Sequence, residues 1–374
     1  PVSGGLKVTM PKALYQVPIH DHVPRLLETI GYPKRPNLGD KDGFSLCWGR
    51  FQEELSQRPL FDGQVVAALR RQGAIVLKLG TIEEQVTPTP EQRRVGNDHV
   101  TAVSDYLSLA VAVQLVLLLP DDVCNVHSFE QLYGGRLLTD IIPQTVHKTF
   151  DGKQRKIDHT KDAEDMMRLH ADDADHVLRS PLQLLTCIKN VKRTESVFAL
   201  IPPDSTLGKY DIDSRTLRRD IYEHAPPASL VDLKDRPPRR PVLFGPADAP
   251  SIQADKKGTK ASEGPEKSKA DEALTSLFSF LEKEENLCRV VLGPGDVLVL
   301  DNLRTLHGRA ALQPVPRRED RRWVKRLWLS STTMEPLLSK CSTSAHPRVF
   351  DRNKAFWSST EMKHPQLAAG RLQS

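Results

Sequence analysis

The sequence predicts a fold of β-strands with flanking helices, and the strand patterns are sharpest near the C-terminus. Val297 and Val299 alternate between Gly295 and Asp301, as expected for a strand that ends in a turn. After a basic, proline-containing loop, residues 322–329 (RWVKRLWL) indicate a second strand. We therefore expect part of a sheet here, with helices contributed by earlier segments.

Periodic segments earlier in the chain predict those helices and further strands. Short apolar runs predict strands at 74–80 and 182–188. Apolar residues at helical spacing predict helices at 65–72, 98–119, 194–200, 214–224 and 271–284.

Other segments lack such a period. Residues 1–62 carry irregularly spaced Pro and Gly and predict an N-terminal arm or lid. Residues 147–169 are dense in charge, which is typical of a mobile surface loop over a site. Residues 254–270 are low in complexity and predict a disordered insertion. Residues 336–374 predict a polar C-terminal tail.

Composition argues against two classes of partner. The net charge of +5 is small for 374 residues, and no aromatic-interleaved basic motif accompanies it, so we expect no nucleic-acid partner. The longest apolar run, 107–119, contains Gln114 and is too short to span a bilayer. We therefore expect no membrane partner, and 39% apolar residues will support an ordinary core.

Cysteine usage predicts a reducing compartment. The five cysteines are widely scattered, odd in number and without CxxC spacing, which argues against a disulfide framework or a thiolate zinc site. The N-terminal residues also lack the apolar stretch of a secretory signal. We expect a cytoplasmic location.

Two histidines and an aspartate form a candidate metal site. Residues i and i+2 of an extended segment point the same way, so His170 and Asp172 can present two ligands together. His307, just beyond the turn after Asp301, is the best third candidate. Two imidazoles and one carboxylate are the donor set of non-haem Fe(II) oxygenases, whereas structural zinc would favour thiolates or a third histidine.

The strand after His307 adds candidate anion-binding groups. Arg322 could hold a cosubstrate carboxylate through two parallel donors, which a lysine cannot offer.

Each of these candidate site residues also has a structural alternative. His307 could be a core histidine bonded to a carbonyl, and Arg322 and Arg326 could form an exposed strand face paired with nearby acids. An H-x-D pair alone is a weak signal.

Taken together, these motifs resemble the clavaminate synthase-like branch of the taurine dioxygenase superfamily, the Fe(II)/2-oxoglutarate-dependent oxygenases. The resemblance spans about residues 60–335. It implies a mainly β fold with flanking helices, a double-stranded β-helix (jelly roll, cupin-like), over residues 63–335. The segments that carry it are 134–143 (GGRLLTDIIP), 169–190, 241–250 and 295–329.

The resemblance also implies roles for individual residues. It implies His170, Asp172 and His307 as the iron ligands and catalytic triad, although the family commonly shows Glu at the middle position. It implies Arg322 as the anchor of the distal 2-oxoglutarate carboxylate.

Further roles implied by the resemblance concern small-molecule binding. Ser196 would help to bind the cosubstrate. Arg326 would meet the substrate carboxylate, and Thr139 and Asp255 would line the substrate site. Thr139 and Gln253 replace groups that relatives acting on arginine carry, which disfavours arginine as the substrate.

The implied activity is hydroxylation of an unactivated C–H bond of an amino acid or amino-acid-derived small molecule in specialised metabolism, using Fe(II), 2-oxoglutarate and O2. Asp172 argues against a halogenase, which needs Ala or Gly there. Desaturation or ring formation is the alternative within the enzyme class, and a metal-free jelly-roll binding protein is the alternative outside it. The substrate could be free or tethered to a carrier, and the oligomeric state stays open.

Overall fold

The computed structural model describes most of the chain. The described residues are 14–31, 38, 41–80, 103–129, 136–143, 147–148, 154–155, 166–176, 178–225, 239–315, 317, 320–342, 346 and 348–352.

Strands are the more numerous elements of the described residues. They are β1 Gln16–Pro18, β2 Ala74–Lys78, β3 Asn125–Phe129, β4 Thr139–Ile141, β5 His147–Lys148, β6 Gln154–Arg155, β7 Met167–His170, β8 Leu182–Lys189, β9 Glu195–Leu200, β10 Tyr222–His224, β11 Leu243–Phe244, β12 Ser251–Ile252, β13 Thr259–Ala261, β14 Cys288–Val291, β15 Asp296–Asp301, β16 Thr305–Arg309, β17 Trp323–Ser330 and β18 Val349–Phe350.

Helices flank these strands. The α-helices are α1 Val23–Thr29, α2 Lys41–Gln57, α3 Gly63–Gln72, α4 Val103–Leu118, α5 Asp204–Gly208, α6 Ser214–Leu217, α7 Lys267–Leu281 and α8 Glu335–Lys340, and two short 3-10 helices lie at His20–His22 and Glu284–Asn286.

Two sheets form the body of the protein. The major sheet has the order β1-β2-β15-β8-β17-β3-β18, and β4 also pairs with β17. The minor sheet has the order β14-β9-β16-β7, with every neighbouring pair antiparallel. This arrangement agrees with the predicted fold of strands and flanking helices.

The strand β15 shows why the central strands are apolar on both faces. Val297 and Val299 pack into the cluster that includes the helices α1 to α4, whereas Leu298 and Leu300 pack with Phe198 of the minor sheet. Successive side chains of a strand point to opposite faces, so β15 contributes to two cores at once. This strand therefore joins the core beneath these helices to a core between the two sheets.

The described part of the predicted N-terminal arm belongs to the body instead. The helix α2 buries Phe44 and Phe51 in the same core as α4, and β1 pairs with β2 in the major sheet. The irregular Pro and Gly spacing of residues 1–62 concealed this helix.

The predicted disorder of residues 254–270 is wrong. Within this segment β13 pairs with β10, and α7 begins at Lys267. Asp255 stabilises the intervening turn, because its Oδ1 accepts from the backbone N–H groups of Lys257 and Gly258. The polar residues of this segment therefore make local hydrogen bonds within a folded unit.

Two predicted helices are also corrected. Residues 194–200 contain the strand β9, whose pairing with both β14 and β16 overrides its weak helical spacing. The predicted helix at 214–224 ends after one turn, at Leu217, and continues as the strand β10. The predicted mobile loop at 147–169 and the start of the predicted helix at 98–119 fall largely outside the described residues.

The described part of the predicted C-terminal tail also packs on the body. The strand β18 pairs with β3, and Arg352 is buried. All five cysteines are free thiols. Among the described helices, none combines the length and the apolar character needed to cross a bilayer.

Candidate metal centre and active site

The candidate ligands come from neighbouring strands of the minor sheet. His170 ends β7, His307 lies in β16, and the two are register partners. A Cβ on Gly308 would lie 2.4 Å from the backbone oxygen of Met167, so only glycine lets β7 approach β16 this closely. The glycine of the L-H-G-R motif thus brings the two histidines together.

The ligand atoms of His170, Asp172 and His307 lie within 4.8 Å of one another. The Nε2 atoms of the two histidines lie 3.5 Å and 3.6 Å from Asp172 Oδ1, and their ring centroids are 4.4 Å apart. The structure therefore brings together the three residues singled out from the sequence.

A strained turn presents Asp172. Asp173 has φ 53°, in the left-handed region that few non-glycine residues adopt. The side chain of Asn302 accepts from the backbone N–H of Asp172 and donates to the carbonyls of Asp172 and Ser180. Asn302 of the D-N turn therefore anchors the ligand turn to the end of β15.

The rest of this turn is tied to the C-terminal segment. Arg352 donates to Asp173 at 3.3 Å and to both oxygens of Asp175, and its own carbonyl lies 3.2 Å from Nε2 of His176. Arg240 donates to the carbonyls of Ala174 and His176. The acids and the histidine that follow Asp172 thus have structural partners.

The two oxygens of Asp172 have different environments. Oδ1 faces both histidines, whereas Oδ2 accepts from Arg326 Nη1 at 2.7 Å and from Trp328 Nε1 at 3.2 Å. Burial opposes ionisation of this carboxyl, but the Arg326 guanidinium and the hydrogen bond with His170 outweigh it and hold the pKa of Asp172 well below its usual range. Asp172 is therefore a carboxylate at neutral pH.

The histidines differ in protonation. Burial, followed by the nearby His170, lowers the pKa of His307 to about 3, so this ring is neutral at pH 7. Burial also disfavours protonation of His170, but the Asp172 carboxylate overcomes it and raises the pKa of His170. The Nδ1 of His170 lies 3.0 Å from the carbonyl of Arg168, which fixes the ring with Nε2 towards Asp172.

These groups fit a divalent metal. When His170 is neutral, its Nδ1–H donates to Arg168, so its Nε2 and the facing Asp172 Oδ1 are both acceptors. A cation bound between such atoms relieves their repulsion. Two neutral imidazoles and one ionised carboxylate are also the protonation states that metal ligation requires.

Two arginines, Arg322 and Arg309, lie beside Ser196 in a second part of the site. Arg322 Nη2 donates to the hydroxyl of Ser196 at 3.1 Å, and burial lowers the pKa of Arg322. Within the described part of the chain, no carboxylate pairs with Arg322. Arg309, register partner of Ser196, is also buried, and burial together with Arg322 lowers its pKa to about 10. This arrangement fits an anion such as a carboxylate.

The residues predicted to meet the substrate lie beside the triad. Thr139 of β4 is buried and is the register partner of Arg326. Asp255 forms a backbone bridge with His170, and its charge contributes to the raised pKa of that histidine. The structure thus places Thr139 beside Arg326 and Asp255 beside His170.

Sequence reasoning missed Gln183, Trp328, Asn302, Arg309 and Arg352. Three had a visible signal: Arg309 closes the L-H-G-R motif, Trp328 follows Arg326 by two residues on one strand, and Asn302 lies in the D-N turn. Gln183 and Arg352 gave no sequence signal, because their contacts with the triad region cross more than a hundred residues.

Comparison with known proteins supports the predicted family resemblance. Residues 213–328 match the model of the taurine catabolism dioxygenase TauD, TfdA family. The L-ornithine/L-arginine 3-hydroxylase of Catenulispora acidiphila is 25% identical over 283 residues, which cover 68% of this chain and 75% of the relative. These matches confirm the predicted resemblance to the taurine dioxygenase superfamily. The chain is an Fe(II)- and 2-oxoglutarate-dependent oxygenase, as predicted.

A second relative and a solved structure agree with this resemblance. The L-asparagine oxygenase of Streptomyces coelicolor is 26% identical over 266 residues, which cover 69% of this chain and 71% of the relative. The structure of the non-heme iron oxygenase OrfP in complex with Fe and α-ketoglutaric acid superposes with a TM-score of 0.67 at 21% identity, covering 90% of this chain and 100% of OrfP. The predicted jelly-roll fold is confirmed.

Proposed function

We propose that this oxygenase hydroxylates an α-amino acid or a close derivative, with Fe(II) held by His170, Asp172 and His307. The convergence of their ligand atoms within 4.8 Å carries the proposal. When bound, iron and 2-oxoglutarate supply the oxidising chemistry, in which O2 and the cosubstrate give succinate, CO2 and a hydroxylated product. The chain's own residues hold the reactants and set their protonation.

Arg322 and Ser196 are proposed to hold the distal carboxylate of 2-oxoglutarate. A guanidinium binds a carboxylate through two parallel charge-assisted hydrogen bonds. The Ser196 hydroxyl already accepts from Arg322 and keeps its own proton available for the anion. Arg322 is a largely buried cation, and among the described residues it donates to a neutral hydroxyl and to no carboxylate, which supports a role in binding an anion.

Arg326, Thr139 and Asp255 are proposed to line the substrate site. The hydroxylase and the oxygenase that resemble this chain are named for L-ornithine or L-arginine and for L-asparagine, which share an α-carboxylate and an α-amino group. A guanidinium has five N–H donors, so Arg326 can bind a substrate carboxylate while Nη1 donates to Asp172.

The substrate side chain is proposed to lack a guanidinium. Gln253 is buried and donates to the carbonyl of Pro241 at 2.7 Å, and it carries no charge. Asp255 uses Oδ1 to accept from two backbone N–H groups of its own turn. A guanidinium would therefore meet one partly engaged carboxylate here, which favours shorter polar side chains.

The cellular setting is proposed to be the reducing cytoplasm. The five free cysteines support it, and burial raises the pKa of Cys187 to about 12, so this thiol stays protonated. Residues 63–335 are proposed as the oxygenase domain.

The first experiment is anaerobic addition of Fe(II) and 2-oxoglutarate. We expect a visible metal-to-ligand charge-transfer band, and its absence would refute the proposed site. A succinate-release screen over free amino acids, including arginine, ornithine and asparagine, then identifies the substrate class. A product heavier by one oxygen atom supports hydroxylation, whereas loss of two hydrogen atoms indicates desaturation or ring formation.

A further inference from the structure

We propose that Trp328 and Gln183 are positioning residues, which leave Asp172 a single metal-facing oxygen and fix the ring of His307. This inference rests on the proposed Fe(II) site. Neither residue is a candidate ligand. Each acts through the ligand that it contacts.

The indole of Trp328 determines which carboxylate oxygen of Asp172 is available to a metal. Trp328 Nε1 lies 3.2 Å from Asp172 Oδ2 and 3.3 Å from Gln183 Oε1, so it can donate to both acceptors. Together with Arg326 it directs two donors at Oδ2, whereas Oδ1 faces both histidines. An oxygen that accepts two hydrogen bonds is a poor additional ligand, so Asp172 binds through Oδ1.

Packing keeps the Trp328 indole in this orientation. The side chain is only 3% exposed. One face stacks on His127, its register partner on β3, at a centroid distance of 6.0 Å. The Arg326 guanidinium lies 4.0 Å from the ring centroid, a favourable cation–π distance. A ring held by both neighbours cannot turn its N–H away from Asp172 without disrupting the packing.

Gln183 connects Trp328 to a second candidate ligand, His307. It is fully buried on β8, and its Nε2 lies 3.1 Å from His307 Nε2, while its Oε1 accepts from Trp328. Since an amide nitrogen only donates, His307 Nε2 is held as an acceptor and its proton lies on Nδ1. Gln183 therefore holds the neutral tautomer of His307 that leaves Nε2 unprotonated in the metal-free site, and a metal at Nε2 would replace this hydrogen bond.

The consequence concerns the number of open coordination positions. Two imidazoles and a carboxylate that binds through one oxygen leave three positions of an octahedron. A carboxylate that binds through both oxygens would leave two. Trp328, which Gln183 contacts, would thus favour a site with room for both a chelating cosubstrate and O2.

The decisive test compares two tryptophans of β17. Trp328→Phe removes the N–H and keeps an aromatic ring. Trp323→Phe is the matched control, because Trp323 is also buried and its Nε1 donates to another aspartate, Asp140, at 2.9 Å. Co(II) alone is titrated anaerobically into each full-length protein and followed by its visible absorption, and circular dichroism checks the fold without metal.

We expect Trp328→Phe to raise the Co(II) Kd by about 10-fold to 100-fold, the range for loss of a group that orients a ligand, and Trp323→Phe to change it less than twofold. Equal Kd values for Trp328→Phe and the wild type, or equal weakening by both variants, would overturn the inference. A wild-type protein that binds neither Co(II) nor Fe(II) with 2-oxoglutarate would instead refute the proposed function.

A second variant decides the question if Trp328→Phe does not fold. Gln183→Leu removes both polar groups and is compared with Gln72→Leu, since Gln72 is also buried and its side chain accepts from the backbone of Tyr15. We expect only Gln183→Leu to change the Co(II) Kd, because it removes both the acceptor of Trp328 and the donor to His307. An unchanged Co(II) Kd in folded Gln183→Leu would contradict a positioning role.

Discussion

The proposed metal end and the proposed cosubstrate end of the site compensate their charges in opposite ways. At the metal end, the Asp172 carboxylate is surrounded by Arg326, His170 and His307. At the cosubstrate end, Arg322 donates to the neutral hydroxyl of Ser196 and pairs with no carboxylate of the described residues. The first end balances its charge within the chain, and the second is suited to an external anion.

This difference indicates how the site is built. Breaking a buried ion pair leaves an uncompensated charge, which is strongly destabilising. Removing a buried cation that has no counter-ion relieves a desolvation cost instead. Substitutions at the metal end should therefore damage both the fold and the chemistry, whereas those at the cosubstrate end should damage binding alone.

The largest expected effect is on turnover at the metal end. Asp172→Ala or His307→Ala should lower succinate release at least about 10³-fold, since a bound metal contributes several kcal/mol to catalysis. The measurement is succinate formed with Fe(II), 2-oxoglutarate and the best substrate of the screen. His224→Gln, a change at another buried histidine, is the control, and unchanged turnover in either triad variant would refute the assignment.

The next largest expected effect is on stability, at Arg352, which binds the two acids that follow Asp172. Arg352→Met leaves Asp173 and Asp175 without their buried cation, so the free energy of unfolding should fall by about 3–5 kcal/mol. Denaturant unfolding measures it. Arg219→Met, which breaks an exposed pair with Glu266, should cost far less. Similar losses in both variants would show that the C-terminal segment does not support the metal end.

A substitution at the cosubstrate end should weaken binding of 2-oxoglutarate without lowering the stability of the fold. Arg322→Gln should raise KM for 2-oxoglutarate roughly 10-fold to 150-fold, because a hydrogen bond to a charged group contributes about 1.5–3 kcal/mol. Its melting temperature without ligands should equal or exceed that of the wild type. A marked drop in melting temperature would mean that Arg322 is already compensated, which would remove the contrast between the two ends.

The smallest expected effect is in the pH dependence of stability without metal. The folded protein holds His307 at a pKa of about 3, below the ordinary value of 6.5, so the unfolded chain binds more protons between these values. Stability contributed by neutral His307 is present above about pH 6.5 and is lost as the pH falls, by up to about 1.4 kcal/mol per pH unit.

Chelator-treated protein unfolded by denaturant between pH 6 and 4 measures this slope. His307→Gln should reduce it, whereas Arg322→Gln should leave it unchanged because that arginine does not titrate in this range. An unchanged slope in His307→Gln would show that this ring is not held neutral.

The sequence by itself determined the types and order of the candidate site residues. The H-x-D spacing, the L-H-G-R motif and the arginines four apart on one strand are local patterns, and chain geometry relates each to a side-chain direction. The strands β2, β8, β15 and β17 were predictable for the same reason, since their runs are apolar and bounded by turn residues.

Tertiary structure decided what depends on pairing between distant segments. Residues 194–200 became a strand because β14 and β16 pair on both sides, and residues 254–270 folded because β10 supplied a partner. Register placed Gln183, Trp328 and Arg352 beside the triad region across more than a hundred residues. Local propensity carries no information about such contacts, because only the assembled sheets bring the groups within hydrogen-bonding distance.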